Sequence, residues 1–193
     1  MPIQTSVAAA PAIAFAGMLA DDAENDTITM VNQESTGSGS QSSSTLSTSM
    51  PFGVAVVFMT SSPVSDLSAL FPHATTDLPA GITVHKHNYE RQWLLTDGTL
   101  AGELDARGVV TGISLTVLRR GRIWVSPPMS VTPGQRLYVR AVANGAISYQ
   151  LGSCENAADA SNMIACTTLG QWLTSCSTNG FAKLEVDFTV KPG

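Results

Sequence analysis

The sequence predicts an all-β fold: a β-sandwich, jelly-roll-like or barrel-like domain of short antiparallel strands, with an extended N-terminal arm and one or two short helices. Three observations predict it. Runs alternating apolar and polar residues recur from about residue 80 to residue 189. Dipeptides of Gly, Pro and Asn punctuate them, at Pro133-Gly134 and Asn179-Gly180 among others. The first 49 residues show only one short strand-like run, Ile28 to Val31. A period of two between turn residues marks half-buried strands, and many short strands together mean a sandwich or barrel.

Residues 1–49 read as an arm that ends in a low-complexity segment, "STGSGSQSSSTLSTS" at 35–49. Gly and Ser cannot bury enough apolar surface to order themselves, so this segment reads as a flexible linker. The β domain is then expected over residues 50–193. Its first strand is the apolar run Phe52 to Met59, bounded by Pro51 and a Ser-Ser-Pro turn. Between Pro63 and Pro72, Val64, Leu67, Leu70 and Phe71 fall at helical spacing and predict a short helix.

"GITVHKHNY" alternates, as does "ISLTVL" at Ile113, Leu115 and Val117. An Arg-Gly turn followed by "RIWVS" predicts a hairpin over Val117–Val125, with Arg119, Arg120 and Arg122 at its tip. Pro127 and Pro128 stop it. Pro133-Gly134 predicts a type II turn before a strand with Leu137 and Val139 on one face. "AISYQL" follows an Asn-Gly turn. "CENAADASNMIAC" has no strand pattern and reads as a long loop or short helix. Asn179-Gly180 predicts a hairpin into a strand that buries Ala182, Leu184, Val186 and Phe188 and exposes Lys183, Glu185, Asp187 and Thr189.

The charge is sparse and uneven. Only 13% of the 193 residues are charged, against about a quarter in an ordinary soluble domain. Before Lys86 there are seven acids and no Lys or Arg; from residue 86 onward there are ten bases and eight acids. A general nucleic-acid binder needs a broad basic face, and this chain has only a local one, Arg119-Arg120-Gly121-Arg122. A low-charge surface fits a protein that covers much of itself with partners.

"SVAAAPAIAFAGMLADD" has the look of a secretion signal, but it lacks a positive n-region and Pro11 interrupts it. No run approaches the ~20 apolar residues of a membrane-spanning helix. Cys154, Cys166 and Cys176 are spaced unlike zinc ligands and read as reduced, partly buried thiols of a cytoplasmically made protein.

Catalytic constellations are missing. His85 and His87 share one strand face but lack a third metal ligand, since His73 lies across a turn. Asp97, Glu103 and Asp105 fall in a solvated turn region. No Gly-x-Ser-x-Gly elbow and no phosphate-binding loop occurs. Asn25-Asp26-Thr27 is a chance-level glycosylation sequon. Trp93, Trp124 and Trp172 read as core or interface anchors. The residues thus predict no enzyme, no metal and no cofactor. The alternatives are a carbohydrate-binding or host-recognition β domain of a phage tail or secreted adhesin, which would stack sugars on Trp and Tyr, and, less supported, a small hydrolase.

Taken in order, several stretches carry a resemblance: the arm "APAIAFAGMLADDAENDTITMVNQES", the strand opening Pro51-Phe52-Gly53-Val54, the His85-Lys86-His87 strand, "VLRRGRIWV" at Val117–Val125 and "VTPGQRLYVR" at Val131–Arg140. Together they resemble the structural cement (decoration) proteins of tailed-phage capsids. The Ser/Gly tract and "SSPVSDLSALFPHATTD" depart from that compact pattern as insertions. The resemblance implies a non-catalytic staple, assembled in the host cytoplasm, that binds the outside of the expanded virion head. It implies contacts with the major capsid protein and with other copies of itself in a homodimer or homotrimer, and none with nucleic acid or membrane. The partner-interface residues expected on this view are Arg119, Arg120, Arg122 and Trp124, with the apolar arm residues Phe15, Met18 and Leu19.

Overall fold

The computed structural model of the protein describes residues 14–20, 25–34, 50–58, 67–85, 108–109, 112–142, 151–159 and 161–189. Eleven strands and no helix occur among them: β1 Asp26–Asn32, β2 Met50–Pro51, β3 Ala55–Phe58, β4 Ser68–Leu70, β5 Pro79–Val84, β6 Gly108–Val109, β7 Ser114–Val125, β8 Arg136–Arg140, β9 Cys154–Glu155, β10 Met163–Trp172 and β11 Ala182–Asp187.

The sheet order β1-β4-β3-β5-β7, with β1 pairing back onto β7, closes a five-stranded barrel. Its pairings are antiparallel except β1–β4, which is parallel. From β7 the sheet continues as β11-β10-β8-β9. Strand β7 therefore serves both parts. Leu118 lies opposite Thr27 of β1 and Ile82 of β5, whereas Ile123 lies opposite Leu184 of β11 and Leu19 of the arm.

Two apolar cores explain why "FGVAVVFM" is continuously hydrophobic. One core takes Met30, Val56, Ala69, Ala80, Leu115 and Val117, a residue or two from each barrel strand, and fills the barrel. The other takes Ala55, Val57, Ile82, Leu118, Ile123, Leu137, Trp172 and Leu184, between the barrel wall and the open sheet. Successive residues of β3 point to opposite faces, and both faces are covered. On β11 the expected alternation holds: Ala182, Leu184, Val186 and Phe188 are buried.

The stretch 14–20 turns at Ala16-Gly17 and then runs along β7, with Leu19 bridged to Ile123. Gly17 N–H donates to the Trp124 carbonyl at 2.8 Å, Trp124 N–H to Met18 at 2.8 Å, and Ala20 N–H to Arg122 at 2.9 Å. Gly17 has φ +82°, and a Cβ there would lie 2.7 Å from Phe52 Cβ, so only glycine fits this contact. Strand β1, also within residues 1–49, forms a wall of the barrel, with Met30 fully buried.

Four local expectations are corrected. The predicted Val117–Val125 hairpin is instead one unbroken strand, β7, because Arg120 and Gly121 pair with Asp187 and Val186 and leave no backbone free to turn back. The predicted helix ending at Phe71 gives way, within the described residues, to β4; Ser68 and Ala69 are buried while Leu67 is 59% exposed, so barrel closure overrides the helical spacing. "CENAADASNMIAC" contains β9 and the start of β10, whose consecutive buried residues Met163 and Ile164 hide any alternation. Asn179-Gly180 forms a turn, Gly180 N–H to Ser177 at 2.9 Å, but inside a longer connection from Trp172 to Ala182. The Pro133-Gly134 turn forms as expected, with Gln135 N–H donating to Thr132. The Ser/Gly tract, His87, Trp93, Asp97, Glu103, Asp105 and most of "AISYQL" lie outside the described residues.

Candidate functional site

Strands β7 and β11 pair residue for residue from Val125–Ala182 to Arg120–Asp187. Alternation then places Trp124, Arg122 and Arg120 beside Lys183, Glu185 and Asp187 on the face away from the buried Leu184 and Val186. Each cross-strand pair interacts. Lys183 Nζ lies 5.3 Å from the Trp124 ring centroid, a cation–π contact. Arg122 Nε–H donates to Glu185 Oε1 at 2.9 Å, and Arg120 Nε approaches Asp187 Oδ2 at 3.7 Å. The two pairs are half-exposed. The Asp187 carboxyl is held below its usual range, first by the Thr189 hydroxyl and further by Arg120 and Arg119.

Gly121 lets the strand carry this cluster. Its φ is +136°, and a Cβ would fall 2.1 Å from Asn25 Oδ1. Arg119 points elsewhere in the register: its carbonyl accepts Phe188 N–H at 2.7 Å, and its buried Nε has no hydrogen-bond partner among the described residues.

The charged row extends beyond two strands. Arg122 pairs with Glu185, Glu185 with Gln171 and Gln171 with Arg136, four residues in register across β7, β11, β10 and β8. Beside this row β10 bulges against β8: Cys166 opposes Leu137, and the next pair is Gln171 with Arg136. The bulge leaves a groove of about 540 Å³, lined by Arg120, Arg122, Arg136, Thr168, Gln171, Glu185 and Asp187 among others. Among the described residues its donors are guanidinium, amide and hydroxyl groups, and no aromatic ring lines it.

Of the residues expected at an interface, the structure brings Arg120, Arg122 and Trp124 onto one face. Phe15, Met18 and Leu19 sit together on the arm. Leu19 packs against the larger core. Phe15 is 44% exposed and meets the His85 ring edge-on at 4.7 Å, while Phe52 meets the same ring at 4.7 Å from its own side. Arg136, Gln171, Glu185 and Asp187 were not singled out from sequence as site residues. The alternation of the last strand already turns Glu185 and Asp187 outward, but nothing local reveals that β8 lies two strands away.

Trp172 is fully buried, so it offers no stacking platform. Among the described residues, no three His, Cys, Asp or Glu side chains converge as a metal site, and no helix is long and apolar enough to cross a membrane. The three thiols are free. Burial pushes the Cys166 thiol up to about 12 and raises Cys154 as well, so both are poor nucleophiles.

Comparison with known proteins decides what this framework belongs to. Residues 3–187 match the family model "Structural cement protein (E217 gp24/Pam3 gp6)". The chain belongs to the phage structural cement protein family. A solved chain from "The capsid of Myoviridae Phage XM1" shares the fold at 12% identity, with a TM-score of 0.59 and coverage of 97% of this chain and 98% of that one. No curated protein is matched. As a cement protein, the molecule is a non-catalytic component of the phage virion capsid.

Proposed function

We propose that this cement protein sits on the outer surface of the expanded head and stabilises it by bridging neighbouring major capsid subunits, as a homodimer or homotrimer near a symmetry axis. The match of residues 3–187 to the cement family carries this reading. The charged β7–β11 face and the exposed Phe15 of the arm support a molecule that touches its neighbours through more than one kind of contact. Ordering an arm costs about 1–2 kcal/mol of backbone entropy per residue. Residues 17–20 offset that cost within the protein by pairing with β7, and Phe15 beside them is held against the His85 ring. Repeated contacts around a symmetry axis then add avidity.

The test is to add purified protein to expanded heads that lack it, and to measure occupancy, head survival under heat or osmotic shock, and the protein's mass in solution. Saturable occupancy with raised head survival is expected. Occupancy without stabilisation removes the bridging role, and a monomeric mass on and off the head removes the oligomer.

A further inference from the structure

We infer that the groove beside the β10 bulge receives a carboxylate-bearing peptide segment of the shell partner, with Arg136 as its anchor. This rests on the capsid-surface reading above and names the chemistry of one contact.

Charge is the first argument. Three guanidinium groups, Arg120, Arg122 and Arg136, face two carboxylates, Glu185 and Asp187. Arg122 is engaged with Glu185 at 2.9 Å, and Arg120 reaches Asp187 only at 3.7 Å. Arg136 is exposed and makes no ion pair among the described residues. Among the described residues the groove thus carries one surplus positive charge, and a guanidinium has five N–H donors with which to hold a carboxylate.

Shape and neighbours are the second. Gln171 stands in register between Glu185 and Arg136, and Thr168 lines the groove from the bulge. A side-chain amide and a hydroxyl offer both donors and acceptors to a peptide backbone. A groove of about 540 Å³ admits a few residues of extended chain. The same neighbours disfavour a nucleic acid: its phosphates recur along the strand, and they would meet Glu185 and Asp187 as well as the arginines. A sugar would lack the aromatic surface on which it stacks.

The experiment titrates the full-length ¹⁵N-labelled protein with acetyl-Gly-Asp-Gly-Glu-Gly-amide and with its Asn/Gln counterpart. The acidic peptide should shift the amide signals of Thr168, Gly170 and Gln171 and saturate. The neutral peptide should bind at least about tenfold more weakly, a difference of about 1.4 kcal/mol. Arg136→Gln should weaken the acidic peptide by a similar factor while the melting temperature holds. Thr168→Trp, which fills the groove, is the second variant should Arg136→Gln fold poorly. Equal binding of both peptides, shifts that map elsewhere, unchanged binding by Arg136→Gln, or displacement of the peptide by a short DNA duplex overturns the assignment. Heads that take up parent and Arg136→Gln proteins equally also sink the groove while leaving the capsid reading intact. Heads that take up neither sink the capsid reading, and the peptide titration still decides the groove.

Discussion

Glu185 accepts a hydrogen bond from Arg122 at 2.9 Å across the β7–β11 ladder, so the densest cluster of positive charge in the chain is partly neutralised within the molecule. Both side chains are nearly half exposed. Exposed pairs contribute only about 0–1 kcal/mol because water and salt screen them. Arg122→Ser should therefore lower unfolding free energy by no more than about 1 kcal/mol, and Glu185→Ser by a similar amount. The double variant should lose less than the sum. Urea denaturation of the four proteins measures the coupling, and strict additivity would show that the ladder contact carries no energy.

Strand β1 makes a different prediction. It pairs with β4 on one side and β7 on the other, and Met30 is wholly buried in the barrel core. A chain beginning at Met50 loses one of five barrel walls and exposes the edges of β4 and β7. It should fail to fold cooperatively. A chain beginning at Asn25 keeps β1 and loses, among the described residues, the 14–20 segment with its bonds to β7 and the Leu19 packing, so it should fold with a lower melting temperature. Circular dichroism through a thermal scan separates the two; a cooperative transition in the shorter chain would mean that the barrel tolerates an open wall.

His73 predicts a pH dependence with a definite sign. Its Nε2 lies 3.3 Å from Glu34 Oε1, tying the end of the β1 segment to the turn after β4, where Asp77 accepts the His73 and Ala74 N–H groups. The hydrogen bond to Glu34 raises the imidazole above its ordinary value of 6.5, against an opposing effect of burial; the Glu34 and Asp77 charges add to the rise. Since the folded value is the higher, the stabilisation is complete below the unfolded pKa and fades as pH rises through the folded one. Stability should fall as pH rises from the ordinary histidine value through the raised folded one, so it should be lower when measured at about pH 8 than at about pH 6. His73→Gln should flatten that fall. Melting curves at both pH values suffice, and an identical slope in the variant would assign it to other groups.

How much of this was legible depends on whether the deciding partner was near in sequence. The all-β class, the buried run of β3 and the alternation of β11 were readable, because period two is a property of one strand. The course of β7 was not. Arg-Arg-Gly-Arg between two apolar runs has the form of a hairpin, and the backbone that keeps it straight comes from β11, about sixty residues later, and from the arm and β1, about a hundred residues earlier. Strand β4 was lost for the same reason: Leu67, Leu70 and Phe71 fit a helix until β1 and β3 claim Ser68–Leu70. At the site, Arg120, Arg122 and Trp124 stood out as a cluster, whereas Arg136 became visible only through its register with Gln171.

The last prediction concerns a charge that sequence left unremarked. Arg140 is 1% exposed, yet it carries a full charge at the open sheet's far edge. Its Nε and Nη2 donate to Glu155 at 2.8 and 2.7 Å, and its Nη1 to Asp159 at 2.6 Å. Ser153 adds a hydroxyl donor to Glu155 at 2.9 Å. This network fastens β9, only two residues long, to β8. A bidentate, fully hydrogen-bonded pair can offset the loss of hydration, but half of such a pair cannot. Glu155→Gln should therefore cost about 3–5 kcal/mol, because it leaves the guanidinium buried with too little compensating charge. Arg140→Met combined with Glu155→Leu should cost far less, since two apolar side chains of similar size need no hydration. Asp159, more than a third exposed, can hydrate when Arg140 is gone. Urea denaturation of the single and double variants gives the comparison. A loss under about 1 kcal/mol in Glu155→Gln would mean that water reaches Arg140, and the dry charge network would be refuted.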